Sequence, residues 1–141
     1  MSDLIERLGR ELLRPKRILV VDDEEALHSA VGPLIESEGG EYTGARSGEE
    51  ALKLLSKQAF DIVFLDVKMP GMDGIMTARI MRQKDRRFPK IVFITGYLEL
   101  AAQGNMGLIP GPVVVAPKPQ TVEEWRELII DYGTRRIYDA A

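Results

Sequence analysis

Asp61-Ile62-Val63-Phe64-Leu65-Asp66-Val67-Lys68-Met69-Pro70-Gly71-Met72-Asp73-Gly74 is the stretch from which the fold can be read. Four apolar residues, Ile62 to Leu65, stop at a carboxylate, Asp66, and a Pro-Gly turn and a second Gly follow. A short apolar run bounded by turn residues fits a strand buried on both faces, as in a parallel sheet. Asp66 is then expected where that strand ends, at the carboxyl edge of the sheet. Open α/β folds bind their ligands at that edge.

The same pattern recurs on either side. Residues 18–21 form an apolar run that meets Asp22-Asp23-Glu24-Glu25, and residues 91–94 form another that ends in Thr95-Gly96. Residues 113–116 run into Pro117-Lys118-Pro119, and residues 42–46 read as a shorter strand. Helical spacing fills the gaps between strands. Ala26, Leu27, Ala30, Val31, Leu34 and Ile35 predict a helix, kinked at Pro33 and stopped by Gly39-Gly40. Ser47 with Glu50, and Thr121 with Glu124, have the spacing of capping boxes. They open helices through Leu55 and up to Gly133. Residues 74–83 read as a further helix, and residues 98–106 as one cut short by glycine and proline. Five strand–helix repeats imply a parallel sheet with helices on both faces, and right-handed crossovers favour the strand order 2-1-3-4-5.

Ahead of the first strand, Leu4, Ile5, Leu8, Leu12 and Leu13 form the apolar stripe of a helix over residues 3–14, ended by Pro15. A helix of that length is marginal alone and needs a surface, expected to be its own domain or a second copy. Its polar face mixes both signs, which argues against a membrane surface.

Composition bounds the rest. With 141 residues, 45% of them hydrophobic and 29% charged, the chain reads as one globular domain. A net charge of −3 gives no nucleic-acid footprint. The absence of cysteine removes thiolate chemistry and fits a reducing compartment. No apolar run is long enough to span a membrane, and no leader is evident. A cytoplasmic domain is the expectation. The division read from the sequence is residues 1–15 as the amphipathic helix, 16–133 as the domain and 134–141 as a tail.

Four of the five strands thus end in polar groups: Asp22-Asp23, Asp66, Thr95 and Lys118. Parallel strands bring all four ends to one edge. Carboxylates gathered there repel by about 1–4 kcal/mol per close pair, depending on the local dielectric. A hard divalent cation relieves that repulsion, and a few carboxylates plus water and a phosphate is how Mg²⁺ is usually held. Zinc is disfavoured by the lack of cysteine and the single histidine. A carboxylate beside a cation and an ammonium is also a nucleophile suited to a phosphoryl group. Lys118 and the Thr95 hydroxyl are placed to meet phosphoryl oxygens. Each residue has a plainer reading as well: Asp22 and Asp23 as helix caps, Asp66 as a turn residue, Thr95 as a strand-end residue and Lys118 as a solvated one. Glu24 and Asp73 read as helix-start and turn residues, with Glu24 near enough to modulate the cation, His28 as a surface residue, and Met69, Met72, Met76 and Met81 as packing.

The chain resembles the receiver domains of response regulators over about residues 16–133. The resemblance rests on Ile-Leu-Val-Val-Asp-Asp-Glu at 18–24, Ser-Gly-Glu-Glu-Ala-Leu at 47–52 and Asp66 with its Met-Pro-Gly-Met-Asp-Gly turn. Phe-Ile-Thr-Gly at 93–96 and Lys118-Pro119 complete it. It implies a doubly wound, flavodoxin-like α/β fold, to which the N-terminal helix is extra. It also implies phosphorylation of Asp66 by a histidine kinase or a histidine phosphotransfer protein. Mg²⁺ would be held by Asp23, by Asp22 through water, by Asp66 and by the Lys68 main-chain carbonyl. A cis peptide before Pro119 would aim Lys118 inward. Two departures stand out: Val115 occupies the place of the usual Tyr or Phe three residues before the lysine, and the fourth helix is rich in glycine. Pro117 removes a strand donor.

The function expected is a phosphorylation-dependent signalling switch that acts through a downstream protein, with no enzymatic activity of its own and with homodimerisation left open. The alternative is a degenerate receiver used as a phosphorylation-independent binding scaffold. A Mg²⁺-dependent phosphatase is disfavoured by Lys68, two residues after Asp66. A flavin domain is disfavoured by the acidic loop after the first strand, which would repel phosphate.

Overall fold

The computed structural model describes residues 2–96 and 109–135. Five parallel strands, β1 (Arg17–Val21), β2 (Glu41–Ala45), β3 (Ile62–Asp66), β4 (Lys90–Thr95) and β5 (Val113–Pro117), lie in the order β2-β1-β3-β4-β5. The order is the one expected. Register runs Val21 beside Leu65, Asp66 beside Ile94 and Thr95 beside Pro117, so the polar strand ends share one edge.

Among the described residues the α-helices are α1 (Ser2–Leu13), α2 (Glu25–Ser37), α3 (Gly48–Lys57), α4 (Gly74–Lys84) and α5 (Val122–Leu128). The expected helix over residues 98–106, with Tyr97, lies outside the described residues. Strand residues alternate between two cores, since successive side chains point to opposite faces. Leu19, Val21, Val63, Leu65, Ile91 and Phe93 face α3 and α4, with Ala51, Ala78 and Met81 among the buried residues. Ile18, Val20, Ile62, Phe64, Val92 and Ile94 face α2 and α5, meeting Val31, Ile35, Leu128 and Ile129. Burial on both faces is why β1, β3 and β4 read as unbroken apolar runs.

Local signals hold with small displacements. Ser47 Oγ and Thr121 Oγ1 cap their helices by accepting from the Glu50 and Glu124 amides, each at 3.1 Å. The Glu50 and Glu124 carboxylates reach one residue further upstream than a capping box requires, to the amides of Arg46 and Gln120. Pro33 lies within α2, which continues to Ser37. At the C-terminus the helix does not stop at Gly133: after α5 it widens into π-type turns over Ile129–Thr134.

Pro117 is accommodated by topology. β5 is an edge strand, and the next amide, Lys118 N–H, is the one that turns to β4, donating to the Thr95 carbonyl at 3.0 Å. The proline nitrogen therefore faces away from the sheet, where no donor is missed.

Two expectations are corrected and one is narrowed. Of the two surfaces expected for the apolar stripe of α1, its own domain or a second copy, its own domain does not cover it: Leu4, Ile5, Leu8 and Leu13 are 50–67% exposed. Just after α1, Arg14 makes a two-pronged pair with Asp61 at 2.9 Å for each prong. Met76 is exposed, whereas Met69 and Met81 are core residues. His28 is buried rather than superficial, at 3% exposure. No helix among the described residues is long and apolar enough to cross a membrane.

Candidate functional site

The turn after β3 sets the nucleophile. Asp66 is 7% exposed at the last position of the strand. The Lys68 amide donates to its Oδ1 at 3.2 Å. Gly74, which opens α4, donates to the Val67 carbonyl at 3.0 Å. A side chain at Gly74 has no room, because a Cβ there would run into the Asp66 carbonyl. This close approach of backbones explains a glycine at the first helical position. Asp73 caps the same helix, accepting from the Met76 amide at 2.8 Å.

The β1 end supplies the other acids. Asp22 is 3% exposed, and its Oδ1 accepts from the Glu24 amide at 2.9 Å. Asp23 is exposed. Neither caps α2: the cap position is Glu24, whose side chain makes no capping bond. Carboxylate oxygens of Asp22, Asp23 and Asp66 all lie within 4.8 Å of one another. That donor set is all oxygen and all acidic, which suits a hard cation such as Mg²⁺.

Charge at the site is visibly unbalanced. Burial, and then the neighbouring Asp22 carboxylate, push the Asp66 carboxyl up to about 6, against the pull of Lys118 and the Lys68 amide. Lys118 Nζ stands 3.4 Å from Asp22 Oδ2 and 3.5 Å from Glu24 Oε1. Partial burial works against its charge, but the Asp22, Asp66 and Glu24 carboxylates outweigh it and hold the ammonium above its ordinary pKa. Thr95 is buried at the end of β4. Asp23, Glu24, Asp66, Lys68, Thr95 and Lys118 line a cleft of about 550 Å³.

All the residues singled out by their strand ends therefore meet at one edge. Lys118 reaches it without a cis bond before Pro119; the one cis peptide among the described residues is Phe88–Pro89. Two further contributors are Glu24, read from the sequence as near enough to modulate a cation, and His28, read as a surface residue. Glu24 shares Lys118 with Asp22. His28 donates from Nε2 to the Asp22 carbonyl at 2.8 Å, while its Nδ1 lies 2.6 Å from the Tyr42 hydroxyl. Val115 is half-buried on β5 and packs into the core beneath α3 and α4.

The family model described as the response regulator receiver domain matches residues 18–129. Sporulation initiation phosphotransferase F of Bacillus subtilis is 31% identical over 118 residues, covering 83% of this chain and 93% of that protein. The CAI-1 autoinducer sensor kinase/phosphatase CqsS of Vibrio cholerae is 35% identical over 82 residues, 58% of this chain but only 12% of that much longer protein. Among solved structures, the response regulator protein TrrA of Thermotoga maritima, in complex with magnesium and BeF, superposes with a TM-score of 0.67 at 34% identity. The match covers 82% of this chain and 97% of that one. TrrA is also known in complex with the histidine kinase ThkA.

Proposed function

The chain belongs to the response regulator receiver domain family, and from that premise we propose that it is a phosphorylation-operated switch whose phosphoryl acceptor is Asp66. The observation that carries this is the meeting of three carboxylates within 4.8 Å, beside a lysine ammonium, at the mouth of one cleft.

In this reading the donor is a phosphohistidine on a histidine kinase or a histidine phosphotransfer protein. One Asp66 oxygen forms the new O–P bond as the N–P bond breaks, and the imidazole leaves and takes a proton from solvent. The product is an acyl phosphate. Transfer of this kind depends on positioning and charge neutralisation more than on covalent chemistry by the protein. The Lys68 amide and the Gly74 contact hold the Asp66 carboxylate in place for attack. The Lys118 separations of 3.4 and 3.5 Å exceed those of a tight charge-assisted bond, so the ammonium can leave Asp22 and Glu24 for a phosphoryl oxygen at small cost. Thr95, beside it on β4, supplies a hydroxyl to another oxygen.

Asp22, Asp23, Asp66 and the Lys68 carbonyl are the groups that would hold Mg²⁺. When bound, the ion supplies positive charge to the phosphoryl oxygens and removes the repulsion among the acids. Residues 16–133 form the switching unit, and its state is read by a downstream protein.

Intact-mass analysis after exposure to acetyl phosphate and Mg²⁺ tests the assignment. One phosphoryl group is expected on the wild-type chain and none on Asp66→Asn. Addition that persists in Asp66→Asn, or that needs no divalent ion, overturns it. No addition to either chain leaves the scaffold reading in its place.

A further inference from the structure

A second polar cavity opens at the far end of α4, away from the acidic cleft. It has a volume of about 430 Å³ and is lined by Arg79, Arg82, Gln83, Arg86 and Pro110. Among the described residues that line it, three of five are cations and none is an acid. Arg79 and Arg82 are three apart on one helix face. Arg86 follows just beyond the end of α4, and its main chain packs against Gly111. Gly111 has φ +85°, and a side chain there would collide with the Arg86 carbonyl and the Arg82 guanidinium. The wall is therefore drawn in tightly.

Arg82 is the telling member. It is 3% exposed. Its Nε donates to the Pro110 carbonyl at 2.7 Å and its Nη2 to the Pro112 carbonyl at 3.1 Å. Its Nη1 is buried and has no hydrogen-bond partner. Burial holds the guanidinium below its ordinary pKa. The neighbouring acid, Asp85, is occupied by the amides of Arg87 and Phe88 at 2.9 and 3.0 Å. Bracing the entry to β5 accounts for Nε and Nη2 but leaves Nη1 unexplained. A buried cation with unpaired donors is costly unless an anion completes it.

We propose that this cavity binds an oxyanion, the phosphate group of a small phosphate-bearing molecule. Guanidinium forks match phosphate oxygens geometrically as well as electrostatically. A tetrahedral group offers oxygens to Nη1 of Arg82 and to Arg79 and Arg86 together, whereas a planar carboxylate offers only two. Three cations, with no acid among the described lining residues, suit a charge of −2 or more.

The test is NMR titration of the ¹⁵N-labelled full chain with inorganic phosphate, pyrophosphate and acetate at constant ionic strength. EDTA is present throughout, so that no divalent ion draws phosphate to the acidic cleft. Saturable shifts are expected at the Arg82 side chain, at the amides of residues 79–86 and at those of Gly111 and Val113. Pyrophosphate should bind more tightly than phosphate, and acetate at least about tenfold more weakly. Arg82→Met should abolish the response. Because Arg82 also braces β5, the exposed pair Arg79→Gln and Arg86→Gln serves as the second variant, and together they should weaken phosphate binding by about tenfold. The absence of saturable shifts with either phosphate species overturns the proposal. So does equal affinity for acetate, or unchanged affinity in the Arg79→Gln/Arg86→Gln chain.

Discussion

The imidazole of His28 is bonded to the backbone of Asp22: Nε2 lies 2.8 Å from the Asp22 carbonyl oxygen. A carbonyl only accepts, so Nε2 carries the hydrogen. In the neutral ring Nδ1 then accepts from the Tyr42 hydroxyl, 2.6 Å away. A side chain on α2 thereby ties together β2 and the strand end that carries the acidic pair.

Replacing His28 should loosen that end. In His28→Leu the Asp22 carbonyl loses its donor and the Tyr42 hydroxyl its acceptor. An orphaned buried polar group costs about 1–3 kcal/mol, and Tyr42, half-buried, recovers part of its share from water. The variant is expected to lose about 1–3 kcal/mol in urea unfolding, and Tyr42→Phe about 1 kcal/mol or less. A His28→Leu chain within about 0.5 kcal/mol of wild type would show that the bond carries no stability.

The position of His28 shows what the sequence holds and what hides it. His28, Val31 and Ile35 are at i, i+3 and i+7, and all three are buried. The pattern of Ala26, Leu27, Ala30 and Val31 drew the stripe one residue too early, and Ala26 and Ala30 are exposed. Small apolar residues are weak markers of a buried face. Strand ends were legible because β1, β3 and β4 are covered on both sides, which forces unbroken apolar runs and makes each terminal polar residue conspicuous. Glu24 was legible as a helix start close to the cation, but not as a partner of Lys118. Its contact with Lys118 crosses from one strand end to another and leaves no local spacing to read. The α1 stripe was read correctly as amphipathic, but a pattern says which face is apolar and not what covers it.

Asp66 should impose a pH dependence opposite to that of most carboxylates. Its folded value, about 6, lies above the unfolded value near 4. The native state therefore holds the proton more tightly than the unfolded chain. Its contribution is most favourable below about pH 4, declines as pH rises toward about 6, and is level beyond that. A rise of about two units, at about 1.4 kcal/mol each, sets an upper bound of about 3 kcal/mol. Asp66→Asn, without divalent ions, should be more stable than wild type above pH 6 by up to that amount. The gap should close between about pH 6 and 4. Urea titrations of both chains across that range decide it, and a constant gap would refute the shift.

Asp23 separates metal binding from simple repulsion. It is exposed and helps to raise the Asp66 carboxyl. Without divalent ions, Asp23→Ala should leave stability unchanged or raise it by up to about 0.5 kcal/mol, since a like charge is lost. Added Mg²⁺ should raise the melting temperature of wild type through mass action and do so far less in the variant. Equal Mg²⁺-induced shifts in the two chains would place the ion elsewhere.

The uncovered stripe of α1 makes the last prediction, because it separates how apolar a residue is from how much it contributes. Leu8 is 55% exposed, and Val63, on β3, is fully buried. A leucine that stays largely in water in the folded chain gains little on folding, so its replacement by a charged residue forfeits little. Leu8→Lys should therefore change the unfolding free energy by no more than about 0.5 kcal/mol at low micromolar concentration. Val63→Ala, which deletes two buried methyl groups between strands and helices, should cost about 1–3 kcal/mol. Arg14 lies outside the stripe, and its bond to Asp61 adds to that carboxylate's contact with the Arg17 amide at 2.8 Å. Although burial opposes it, the Arg14 guanidinium, followed by the Arg17 amide, holds the Asp61 carboxyl below its usual range. Arg14→Ala should accordingly cost more than Leu8→Lys above about pH 4, and the difference should fade as Asp61 is protonated below it. A Leu8→Lys chain destabilised as much as Val63→Ala would mean that the stripe is covered in solution.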